Sequence, residues 1–236
     1  NTLEHILKSF LVSTPDADIP FDKPRQVKHV ALLVFTSNSS LCGGFNNNVI
    51  KKMLDVIKEY KDKGLTDDDI LIYPIGRKVE EKVRKMHLHA AGSYLQLADK
   101  PDSESCRQIA IEVGTKWMHG EVDKVEMIYH HFKSAGSQIL TRRTFLPIDL
   151  EEQLYEDKAR DLSMNAVTAK AQKYKRLHGK SYSEADGANV VPLNDDFIVE
   201  PDLPTVLREL VPKELHLMVY TALLDSVASE HAARMV

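Results

Sequence analysis

Three features of the sequence predict an α/β sandwich built around a mixed sheet. Val30 to Phe35 is a continuous apolar run, Val-Ala-Leu-Leu-Val-Phe, too uniform for a strand with one wet face, so it reads as a strand covered on both sides. Strand and helix patterns alternate after it, as crossover units do. Two β-rich runs then flank Ser134-Ala135-Gly136, which reads as a hairpin turn at the sheet edge.

Taken in order, the chain starts with a helical pattern from Asn1 to Val12, where Leu3, Ile6, Leu7, Phe10 and Leu11 form one apolar stripe. Ser13 to Pro24, with three prolines, breaks it. After the buried strand, a helix is expected from Asn46 to Lys63 with Gly64 as its stop. Asp69 to Ile75 follows as a strand, and Arg77 to Met86 as a charged amphipathic helix. Pro101 and Asp102 introduce a helix from Ser103 to His119, ended by Gly120. The two runs of the hairpin are Glu121 to Phe132 and Gln138 to Leu146.

Glu151 to Leu177 is rich in helix formers, and Ser181 to Asp196 reads as a loop. Phe197 to Val199 suggests a short strand, and Leu203 to Leu210 a short helix. The closing helix is expected to begin at Pro212, a residue suited to a first helical position. Along it Ala222, Ser226, Ser229 and Ala233 recur every four, three and four residues as a seam of small side chains, which lets a second helix come close. The N-terminal helix is the expected neighbour. Neither terminal helix carries its outer cap signal, so both ends are expected to cut through longer helices. The expected partition is 1–12 and 212–236 as terminal helices, 25–150 as the α/β domain, 151–196 as an insertion and 197–211 as a return segment.

Composition narrows the function. The chain has 236 residues, 43% of them hydrophobic, and balances 31 Lys and Arg against 35 Asp and Glu for a net charge of −4. That is enough apolar content for a core, and it gives no global basic field for nucleic acid or an anionic membrane. The two cysteines, Cys42 and Cys106, lie far apart, so neither a disulfide framework nor a structural zinc site is indicated, and a reducing cytoplasm fits. The longest apolar run falls far short of the ~20 residues that span a bilayer. No signal peptide pattern opens the sequence, and a chain soluble by itself is expected.

Ser37 to Asn46, Ser-Asn-Ser-Ser-Leu-Cys-Gly-Gly-Phe-Asn, joins the buried strand to a helix, where open α/β sheets hold phosphate. It lacks GxGxxG and GxxxxGK[ST] spacing, so Cys42, Gly43 and Gly44 read as a structural turn, with a small-ligand or nucleotide site at that turn as the alternative. No GxSxG elbow makes a nucleophile of Ser40 or Cys42. His87 and His89 would share a strand face, whereas His130 and His131 would point to opposite faces, and no third ligand completes a metal site. Lys170, Lys173, Lys175, Arg176 and Lys180 read as a solvated helix face rather than a binding patch. Glu230, His231 and Arg234 read either as surface charges or as groups facing a partner protein.

Together these residues resemble the gamma subunit family of F-type ATP synthases. The family's Ser-Asp-Arg-Gly-Leu-Cys-Gly-Gly-Phe-Asn signature corresponds to Ser37 to Asn46, with Asn38, Ser39 and Ser40 replacing Asp, Arg and Gly. Its C-terminal signature corresponds to Leu224, Ser226, Ala228 to Met235. Gly76-Arg77-Lys78, Val125 to Phe132, Leu146-Pro147-Ile148 and Glu200-Pro201 fall in order between them. The resemblance implies a Rossmann-like α/β/α sandwich as the foot of a rotor, with the terminal helices as the base of an antiparallel coiled coil. It further implies alpha, beta and epsilon subunits and the membrane c-ring as partners, no catalytic residue, cofactor or metal, and a place on the cytoplasmic face of the cell membrane. Ser229, Glu230 and Arg234 are the residues it points to as a partner interface.

Overall fold

A computed structural model describes residues 21, 23–148 and 202–235. The expected N-terminal helix, the 151–196 insertion with its basic stretch and the short strand at 197–199 lie outside the described residues.

The central strand is β1 (Val30–Phe35), and all six of its side chains are buried, as an apolar run without alternation requires. It leads into α1 (Phe45–Asp62), which buries Val49, Met53, Val56, Ile57 and Tyr60 along one face. The chain then turns at Gly64, at φ +99°. A short 3₁₀ turn, Asp67–Asp69, precedes β2 (Ile70–Ile75). It takes the residue that the sequence placed at the strand's start, because the Asp69 carboxylate accepts from the Thr66 amide at 2.7 Å and hydroxyl at 2.8 Å. Next come α2 (Arg77–Lys85), a two-residue β3 (His89–Ala90) and a short α3 (Leu95–Asp99), the last two without a clear sequence signal.

The remaining elements are α4 (Ser103–Met118), β4 (Lys124–Ser134), β5 (Ser137–Leu146) and α5 (Leu203–Arg234). Asp102 caps α4, its carboxylate accepting from the Ser105 amide at 2.7 Å. The expected short helix and closing helix are one: α5 runs straight through Pro212, which costs the ring's missing amide bond but does not end the helix. Packing accounts for this, since Val211, Leu215 and Val219 on either side of the proline are buried.

The five strands are ordered β3-β2-β1-β4-β5, all parallel except β5 against β4. One face carries Val30, Leu32 and Val34 with Ile70, Ile72 and Ile128, packed under α1 and α2. The opposite face takes α4, whose Glu112 accepts a hydrogen bond from the Tyr73 hydroxyl at 3.0 Å. Helices therefore cover both sides, as the buried β1 predicted. β4 is longer than β1: their pairing ends at Val34 with Ile128, and beyond it β4 is paired only with β5. That overhang is where α5 arrives.

Candidate functional site

Two places carry the residues singled out by sequence, the turn after β1 and the final turns of α5. In the turn, the Asn46 side chain is the knot. Its Oδ1 accepts from the Ser37 amide at 2.9 Å, and its Nδ2 donates to the Ser39 carbonyl at 2.8 Å, the Ser37 hydroxyl at 3.0 Å and the Cys42 sulfur at 3.0 Å. Asn38, standing where the family signature has Asp, spans three segments: Nδ2 donates to the Leu95 carbonyl at 2.8 Å and to Asp99 at 2.7 Å, and Oδ1 accepts from the Arg77 amide at 2.8 Å. Its polar atoms thus bind β1 to α2 and α3.

Cys42 is buried, and none of its hydrogen-bond partners among the described residues is a histidine. The other thiol, Cys106, is buried too, and burial with the nearby Asp102 pushes it up to about 12, far from a thiolate at neutral pH. Gly43 has φ +53° and Gly44 caps α1 without a side chain. Ser40 is exposed at the turn's tip beside Leu41.

The histidines separate. His87 closes α2 at φ 55°, while His89 sits on edge strand β3 with Nε2 2.8 Å from Asp68. Among the described residues no three side chains are grouped to hold a metal ion. His130 and His131, adjacent on β4, have different partners. His130 is buried and stacks on Phe45, ring centroids 4.4 Å apart, and its Nδ1 has no hydrogen-bond partner among the described residues. Burial lowers its pKa to about 4. His131 instead reaches α5, with Nδ1 2.5 Å from Asp225 Oδ2.

On α5, Ala222, Ser226 and Ser229 are buried and Ala233 is half-buried. Ser226 lines a small space of about 10 Å³ together with Phe35, Thr36 and Ser37 at the end of β1. The Ser229 hydroxyl donates to the His130 carbonyl at 3.4 Å. Ser226 and Ser229 of the seam therefore meet the carboxyl end of the sheet, and the N-terminal segment expected opposite the seam lies outside the described residues.

Glu230 corrects one expectation. Of the two readings, a surface charge does not hold for it: it is 4% exposed and lines the same space as Phe35, Ser37 and Phe45. Arg234 Nε donates to its Oε1 at 2.5 Å, and the Arg234 side chain is 46% exposed. Of Ser229, Glu230 and Arg234, only the last offers surface. Sequence reading missed Asp225 and the His131 contact, although Asp225 is one turn before Ser229 on the same face.

A second polar centre also escaped the sequence. Glu126 on β4 is 2% exposed and accepts from the Tyr60 hydroxyl at 2.6 Å and from Arg142 Nε at 2.6 Å, with Lys124 Nζ at 3.3 Å. Arg142 also donates to Glu59 at 2.6 Å. Burial alone would raise the Glu126 pKa, but Arg142, Tyr60 and Lys124 outweigh it and hold the carboxylate ionised. The Tyr60 hydroxyl is driven strongly upward by burial and by Glu126.

A family model described as ATP synthase matches residues 1–236. The ATP synthase gamma chain of Phocaeicola vulgatus is 41% identical over 233 residues, 98% of this chain and 68% of that one. The chain belongs to the ATP synthase gamma-chain family. The gamma chain of Bacteroides thetaiotaomicron is 38% identical over 98% of this chain and 70% of its own length. A chain in the central stalk and c-ring structure of the Tetrahymena thermophila mitochondrial ATP synthase shares the fold at a TM-score of 0.58, with 21% identity, covering 98% of this chain and 82% of that one. Gamma chains are non-catalytic subunits in the peripheral part of a membrane complex, and among the described residues no helix is long and apolar enough to cross a membrane.

Proposed function

We propose that this gamma-family chain is the rotary central-stalk subunit of a proton-translocating ATP synthase on the cytoplasmic face of the cell membrane. It couples proton flow through the membrane ring to ATP synthesis or hydrolysis in an alpha/beta hexamer, with alpha, beta and epsilon subunits and the c-ring as its partners. The observation that carries this is 41% identity to a gamma chain along 98% of the sequence.

The geometry supports the role. A rotor needs a stiff shaft fixed to a foot, and α5, 32 residues and about 48 Å long at 1.5 Å per residue, is braced on the sheet through Asp225, Ser226 and Ser229. The test replaces the gamma chain of a bacterial ATP synthase with this protein in full length. Proton-driven ATP synthesis is the expected result. A protein that fails to join alpha and beta, and binds ATP saturably by itself, would restore the nucleotide-site alternative at Cys42 to Gly44.

A further inference from the structure

We propose that His131 and Asp225, with the Ser229 hydroxyl one turn on, form the joint through which twisting load passes between α5 and the sheet; this rests on the rotor reading. The joint sits on the overhang of β4 beyond Ile128, where β1 no longer pairs with it. Asp225 Oδ2 meets His131 Nδ1 at 2.5 Å, and Ser229 Oγ donates to the neighbouring His130 carbonyl at 3.4 Å. Four residues apart, Asp225 and Ser229 lie on one face of α5 about 6 Å apart along the axis.

Further back along α5, Leu215, Met218, Val219 and Leu223 are buried, and His216 Nε2 lies 3.0 Å from the Ser103 hydroxyl, so packing holds that part of the helix. At Ser226 and Ser229 the side chains are small and raise little ridge to catch in a groove of the sheet. There, directional contacts matter more to the helix's rotation than apolar burial, which has no preferred direction. The two polar contacts are directional, and a small turn of α5 lengthens both. The His131 and Asp225 side chains are 23% and 20% exposed, which spares them much of the screening of an open surface pair.

The strand side is firm. His131 is held in the β4 to β5 ladder opposite Ile139, and His130 is stacked on Phe45 at the start of α1. Load entering at Asp225 therefore reaches both the hairpin and α1. His131 and Asp225 are positioning residues: they set how far rotation of the shaft is shared by the foot.

The experiment uses the complete complex assembled around the full-length chain, and reads ATP-driven proton pumping against ATP hydrolysis in the same vesicles. Asp225→Asn and His131→Gln are each expected to lower pumping per ATP hydrolysed by about threefold or more, a loss of the size that one broken contact between neighbours produces. The exchanged pair, His131→Asp together with Asp225→His, is expected to restore most of it. Parent-like pumping in both single variants, or an exchange that restores nothing, overturns the joint. Loss of assembly in the single variants, whether or not the exchange recovers it, makes the pair a folding element and overturns the joint. If the parent chain itself neither assembles nor pumps, the rotor reading has failed, and that is read before any variant is made.

Discussion

The backbone at Gly76 turns at φ +97°, and a β-carbon added there would sit 2.1 Å from the Thr36 carbonyl oxygen. Neither backbone has room to yield, since Thr36 is itself held by its amide to Ile75 and by the Val79 amide to its hydroxyl. Gly76→Ala is expected to cost on the order of 3 kcal/mol, read from urea unfolding. Ser226 is a gentler case of the same constraint. With about 10 Å³ free beside it, Ser226→Leu should overpack and cost about 1 to 3 kcal/mol in the same measurement. His130 makes stability depend on pH. A free histidine titrates near 6.5 and the buried one at about 4, so between those values the unfolded chain takes up a proton that the fold refuses. Its contribution is complete above about pH 6.5 and falls by about 3 kcal/mol as pH drops toward 4. His130→Phe, which keeps a ring against Phe45, should flatten that limb of the pH profile. An unchanged acid limb would mean that another group sets it.

Between elements, a buried polar tie joins β4, β5 and α1 through Glu126, Arg142, Tyr60 and Glu59. Removing one partner of a buried charge leaves the other without compensation, so Arg142→Ala is expected to cost about 3 to 5 kcal/mol, whereas replacing Glu126 and Arg142 together by methionine should cost much less. A thermal melt of the three variants distinguishes them. This tie shows where sequence reading stops. β1 was legible because a run of six apolar residues has one physical reading, and α1 and α4 because spacing and caps agreed. Glu126 was hidden because a carboxylate in a strand reads as a wet position until its partner is known. That partner, Arg142, lies 16 residues on and depends on the hairpin register, which pairs Ile128 with Arg142 and Glu126 with Thr144. Pro212 misled for the opposite reason: local geometry favours it at a helix start, and tertiary burial of Val211 and Leu215 carried the helix through it. At the turn after β1, the glycines and Cys42 were visible, but not the role of Asn46 as the knot.

For the whole molecule, Arg234 is the one charge of the expected interface that is both exposed and held in place, through Glu230. An exposed ion pair is worth only about 0 to 1 kcal/mol, so Arg234→Ala should leave the melting temperature of the isolated chain near that of the parent. In the assembled complex the same variant is expected to lower coupled ATP synthesis. Parent-like synthesis with a large loss of stability would make Arg234 a scaffold residue. The strand order has a further consequence, felt while the chain is being made. Val30 pairs with Ile70 on one side and with Lys124 on the other, 40 and 94 residues downstream. At about 5 to 20 residues per second, the ribosome needs on the order of 5 to 20 s to deliver β4 after β1 has emerged. Throughout that interval β1, the most apolar of the described strands, has an unpaired edge, the kind of surface on which nascent chains cling to one another. Translation speed across residues 36–124 and the chaperones that meet the nascent chain there should therefore govern how much of this protein reaches its folded state.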